Sequence, residues 1–125
     1  DQETSTSNTV YVTPGRQQFH PSAAKSWVMF TSVTTTAITV SYNVTSLTDN
    51  GTGDTTVNFT TAFSSVDYAF SGMFGRGATA AAALAFELRD DAATPTTTAF
   101  RVRSIDSSGT NVDRVRQSLV FFGDQ

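Results

Sequence analysis

Residues 37–61 hold two stretches of strict alternation separated by a cluster of turn formers, and this pattern limits the fold more than any other part of the chain. Ile38, Val40, Tyr42 and Val44 alternate with Thr39, Ser41, Asn43 and Thr45. Successive side chains of a strand point to opposite faces, so a period of two predicts one buried face and one wet face. Asp49-Asn50-Gly51-Thr52-Gly53-Asp54 follows, dense in residues that accept positive φ, and alternation resumes at Val57 and Phe59. The segment predicts a β-hairpin.

The rest of the chain reads in the same way. Val10-Tyr11-Val12 predicts a short strand closed by Pro14-Gly15, His20-Pro21-Ser22 a turn, and residues 26–31 a densely apolar strand. Val66, Tyr68, Phe70 and Gly72 alternate across 66–74. Residues 78–89 are ambiguous, because their alanines favour helix while Leu84, Phe86 and Leu88 alternate. The all-strand surroundings decide for strand. Residues 90–98 predict a loop, and 99–105 and 114–122 two last strands joined through 106–110. Seven or eight short strands at this spacing predict an all-β fold, an antiparallel β-sandwich of jelly-roll-like type. Residues 1–16 are expected to be a flexible arm or linker, and 17–125 a single domain.

Composition narrows the partners. Charged residues make up 15% of the chain, and Ser and Thr fill the gap at about 29%, against roughly 25% charged in an average domain. A surface of hydroxyls repels its own copies weakly. The formal net charge of −3 offers no basic field for nucleic acid or anionic membrane. The absence of cysteine rules out disulfides and thiolate metal sites. No apolar run approaches the roughly 18–20 residues that cross a bilayer as a helix.

Catalytic constellations are thin, and the expectation is a protein that is not an enzyme and holds no cofactor or metal. His20 is the only histidine and precedes a proline, so a nucleophile–base pair would need a distant Ser and Asp. Glycoside hydrolysis needs two converging carboxylates; Asp49, Asp54, Asp67, Glu87, Asp90, Asp91 and Asp106 are available, but most fall at predicted turns, where carboxylates serve local hydrogen bonds. Asp49-Asn50 with Asp54 superficially suggests a calcium loop but lacks the late bidentate Glu. Asn43-Val44-Thr45, Asn50-Gly51-Thr52 and Asn58-Phe59-Thr60 match the glycosylation pattern, which chance supplies in so Thr-rich a chain. Trp27 and the ten phenylalanines raise carbohydrate stacking, but alternation assigns most to a core; Tyr11, Tyr68 and Phe74 lie nearer segment ends.

The C-terminal segments carry the sharpest expectation. If Phe100 and Val102 share the core face with Val115, Gln117, Leu119 and Phe121, a hairpin would place Arg101, Arg103 and Ile105 on the other face with Arg114, Arg116, Ser118, Val120 and Phe122. Arginines opposite one another repel. Arg103 and Arg116 are therefore expected to meet a carboxylate, from this chain, from a neighbouring subunit or from an anionic ligand. Ile105, Val120 and Phe122 beside them read either as a protein–protein interface or as a face covered by a second sheet.

Three blocks carry a resemblance: His20-Pro21-Ser22-Ala23-Ala24-Lys25-Ser26-Trp27-Val28, the hairpin of 43–59, and Phe100-Arg101-Val102-Arg103 with the ending Val120-Phe121-Phe122-Gly123. In this order they resemble the C-terminal domain of bacteriophage tail-fibre and virion-appendage proteins, over most of residues 17–125. The resemblance implies a distal domain on the virion surface, a homotrimer that contacts other virion proteins and attaches to a host-surface glycan or protein. A capsid decoration or head-fibre protein is the structural alternative. The resemblance supplies no catalytic residues.

Overall fold

The structure is a computed structural model and describes residues 17, 20, 22–75, 85–88 and 94–125. Eight strands lie among the described residues: β1 (Ala24–Thr31), β2 (Ala37–Tyr42), β3 (Val44–Gly51), β4 (Asp54–Phe59), β5 (Ala69–Gly75), β6 (Ala85–Leu88), β7 (Ala99–Ile105) and β8 (Arg116–Phe122). They form two four-stranded sheets, ordered β2-β1-β8-β5 and β3-β4-β7-β6, with every neighbouring pair antiparallel. The all-β sandwich expected from the alternation is what the chain forms. The arm at 1–16, the strand expected at 10–12, and residues 78–84, 89 and 90–93 of two further expectations lie outside the described residues. Of the alanine-rich segment, 85–88 form β6 and pair with β7.

The core is where the inner faces meet. Val28 and Phe30 of β1, Val57 and Phe59 of β4, Phe63, Phe100 and Val102 of β7, and Leu119 and Phe121 of β8 are buried together. Aromatic rings set its geometry. Phe59 meets Phe63 and Phe121 edge-on at 5.0 Å each, and Phe63 stacks on Tyr68 at 4.4 Å. Edge-to-face and offset pairs add attraction beyond area burial, about 0.5–1.5 kcal/mol each. Gly123 closes this layer, because a Cβ there would sit 2.8 Å from Tyr68 Cβ and 3.0 Å from a Phe63 ring carbon.

Three expectations need correction. First, residues 37–45 are not one strand. Asn43 adopts φ 56°, a left-handed conformation that Asn tolerates better than most residues, and the chain turns there from the first sheet into the second. Second, Ile38, Val40 and Tyr42 are exposed rather than buried, because β2 is an edge strand of the first sheet. Third, β7 and β8 do not pair: β7 lies between β4 and β6, and β8 between β1 and β5. Their connection, residues 106–115, is long enough to cross between sheets about 10 Å apart, whereas a two- to five-residue turn would have enforced a hairpin. The expected core phase of both strands is otherwise met, apart from Val115, which is exposed ahead of β8. Phe100 and Phe121 meet edge-on across the sandwich at 5.2 Å instead of along a ladder.

Candidate interaction surfaces

The seven residues expected to share one face fall into four places. Arg101, Arg103 and Ile105 lie on the outward phase of β7, in the second sheet. Arg101 donates from Nε and Nη2 to the two carboxylate oxygens of Asp54, at 2.8 and 2.9 Å. This two-pronged pair follows from register: Asp54 of β4 stands directly opposite Arg103 and diagonal to Arg101, and Glu87 of β6 stands opposite Arg103 on the other side. An arginine does meet a carboxylate of this chain. Arg101 does so on Asp54, and the expected opposition of Arg103 and Arg116 does not occur, because β7 and β8 lie in different sheets.

Arg114 precedes β8 and is buried, with only 2% exposure. Its backbone is fixed to the end of β1: its N–H donates to Ser32 Oγ at 2.9 Å, and its carbonyl accepts from the Ser32 amide at 3.0 Å. The guanidinium lies 5.3 Å from the centre of the Phe74 ring, while Nε and Nη2 have no hydrogen-bond partner. An aromatic face partly offsets a cation held away from water. Asp106 stands near this charge. Its carboxyl is held below the usual range chiefly by the Ser108 hydroxyl, then by the backbone amides of Thr110 and Ser108, with Arg114 adding a smaller pull. Arg116 is exposed and opposes Gly75 at the end of β5.

Val120 and Phe122 lie on the outward phase of β8, in the first sheet, so Ile105 is not their neighbour. What surrounds them is a continuous face. One row across the sheet runs Tyr42, Trp27, Val120, Ser71, and the next runs Val40, Met29, Ser118, Met73. Neither row contains a charged residue. Trp27 is 36% exposed, Val40 46%, Tyr42 51% and Met73 78%. Ser71, Gly72 and Ser118 are small, and they leave a depression of about 480 Å³ with Trp27 and Met29 on one side and Met73 on the other. Of this face the sequence pointed only to Val120 and Phe122, although 27–30 is apolar in both phases, which marks a strand with something to cover on each side.

The outer face of the second sheet has the opposite chemistry. The Asn58 amide donates to Ser46 Oγ and Thr48 Oγ1, both at 3.1 Å, and the Asn50 amide donates to Thr56 Oγ1 at 2.8 Å. Beside these cross-strand bonds stands the Arg101–Asp54 pair.

The remaining candidates resolve into local structure. Asp49 Oδ1 accepts from the Gly51 amide at 2.9 Å, a turn bond within the suspected calcium loop, and among the described residues no group of His, Asp or Glu could hold a metal ion. His20 Nδ1 lies 2.6 Å from Ser22 Oγ within their own turn. Tyr68 is a core residue whose hydroxyl donates toward the carbonyls of Thr96 and Ala99, at 3.0 and 3.2 Å. Phe74 lies beneath Arg114. Comparison with known proteins returns no match: no family model, no curated protein and no solved structure matches the chain.

Proposed function

We propose that this chain is the distal domain of a bacteriophage tail fibre or tailspike, a structural appendage that assembles with its own copies and attaches the particle to a host surface. The observation that carries this reading is the contrast between the two outer faces. A charge-free apolar face bearing Trp27, Met29, Val40, Val120 and Met73 favours contact with protein, whereas the Ser, Thr, Asn and Arg101–Asp54 lattice favours water or a polar ligand. At strand spacings of about 4.8 Å and 3.4 Å per residue, the two rows of four residues cover about 260 Å² of sheet. The resemblance of residues 20–28, 43–59 and 100–123 to appendage domains supplies the identity of the assembly. Copies of the chain meet through the apolar face in a homotrimer, and the role is binding rather than turnover.

The test uses the intact chain. Labelled protein should bind susceptible bacteria and compete with particle adsorption, and antibodies against it should decorate the tail tip in electron micrographs. Decoration of the capsid, or unimpeded adsorption at saturating protein, would overturn the attachment role. Sedimentation should give a trimer, and a stable monomer at micromolar concentration would overturn the assembly.

A further inference from the structure

At the corner where β2 turns into β3, the two sheets leave a cleft of about 430 Å³ lined by Ala24, Lys25, Tyr42, Asn43, Thr60, Thr61 and Gln125. Small-molecule sites commonly occupy roughly 300–1,000 Å³. The wall is pre-set. Asn43 is held at φ 56°, its amide donates to the Lys25 carbonyl at 3.0 Å and the Thr61 carbonyl at 3.2 Å, and its Oδ1 accepts from the Thr61 amide at 2.7 Å. Ser26, fully buried beneath, directs its hydroxyl toward the carbonyls of Tyr42 and Asn43, at 3.3 Å each. A single side chain thus ties the start of β1, the β2–β3 corner and the chain just after β4 together, so the cleft needs little ordering on binding.

Its free valences are those of a sugar site. Tyr42 presents a half-exposed ring and a hydroxyl that makes no hydrogen bond among the described residues. The Thr61 hydroxyl is likewise unengaged, and Gln125 spends one amide hydrogen on the Thr61 carbonyl at 3.1 Å, leaving the other hydrogen and its oxygen. Thr60 accepts from the Thr45 hydroxyl at 2.9 Å and keeps its own proton to donate. One aromatic face beside hydroxyl and amide groups matches a pyranose, whose ring carries an apolar C–H face and an equatorial rim of hydroxyls. Among the described lining residues the only ionic side chain, Lys25, is buried and already engaged, so a neutral ring is favoured over an acidic one.

We infer that this cleft is a binding site for a neutral pyranose, with Tyr42 as the stacking platform and Thr60, Thr61 and Gln125 as the polar contacts. Tyr42 ends one row of the apolar face at its β2 margin, so the site lies beside that face rather than within it, and it stands independently of where the chain is located. The test is a nuclear magnetic resonance titration of the isotope-labelled chain with the methyl glycosides of glucose, galactose, mannose and N-acetylglucosamine. At least one should move the amide signals of Lys25, Asn43, Thr61 and Gln125 and saturate in the millimolar range. Tyr42→Ala should weaken that binding about tenfold, and Tyr42→Phe should retain most of it. Tyr42 is exposed on an edge strand, so both variants keep the fold, which their spectra check. No localised response to any of the four glycosides, an equal response to open-chain sorbitol, or unchanged binding in Tyr42→Ala would each overturn the assignment.

Discussion

Single residues set two local conditions of this fold, and both are open to measurement. Asn43 occupies a left-handed backbone position and makes three side-chain hydrogen bonds. Asn43→Ala keeps the unfavourable φ while losing the bonds, so it should destabilise the chain by about 3 kcal/mol. Asn43→Gly loses the same bonds but relieves the backbone, and should cost about 1 kcal/mol less in denaturant titration. Tyr68 sets the second condition. Burial pushes its pKa up to about 12 from an ordinary 10. The folded chain thus holds that proton more tightly than the unfolded chain. The corresponding stability is complete below pH 10 and is lost as pH rises from about 10 to about 12. Tyr68→Phe cannot ionise, so its stability should fall less over that window, while at neutral pH the lost hydroxyl contacts should cost about 1 kcal/mol. Neither residue's role was legible in the sequence. Asn43 reads as one more polar position in an alternating run, and only its φ shows that the run is broken there. Tyr68 reads as a segment-end aromatic, because the carbonyls of Thr96 and Ala99 that capture it lie about thirty residues away.

Elements were legible to the extent that period two reports them. The phases of β4, β7 and β8 follow directly from their apolar alternation, and so does the sandwich class. Partnership was not legible, because alternation says which side of a strand is apolar and nothing about which strand lies beside it. The pairing of β7 with β8 failed on that ground, and with it the common face of Arg101, Arg103, Arg114 and Arg116. A strand that is apolar in both phases is the signal that was available for the outer face of the first sheet. Because Met73 is 78% exposed in the single chain, Met73→Lys should change its unfolding free energy by no more than about 0.5 kcal/mol. The same substitution should abolish self-association if that face is the contact, since it places an ammonium against an apolar partner. Sedimentation of the variant beside a melting curve separates the two effects. Loss of stability with unchanged assembly would place the contact elsewhere.

At the scale of the whole molecule, the order β2-β1-β8-β5 puts β8, the last of the described strands, at the interior of its sheet. β8 carries Leu119 and Phe121 into the core and is the only described neighbour that β5 has. A chain ending at residue 115 should therefore show no cooperative unfolding transition and no β-type circular dichroism, rather than a weakened version of either. A native-like melt from that truncation would contradict the topology. Pairing β1 with β8 also closes nearly the whole described chain into one loop, so refolding should take milliseconds to seconds rather than microseconds. The same arrangement bears on synthesis. Until β8 is made, β1 has only β2 beside it among the described strands, the core lacks Leu119 and Phe121, and the face bearing Trp27 and Met29 is incomplete. An interrupted copy is thus an open chain available to proteases, and it offers no finished surface to its sisters. Because β8 lies between β1 and β5, only copies in which it is in place have the outer face of the first sheet whole.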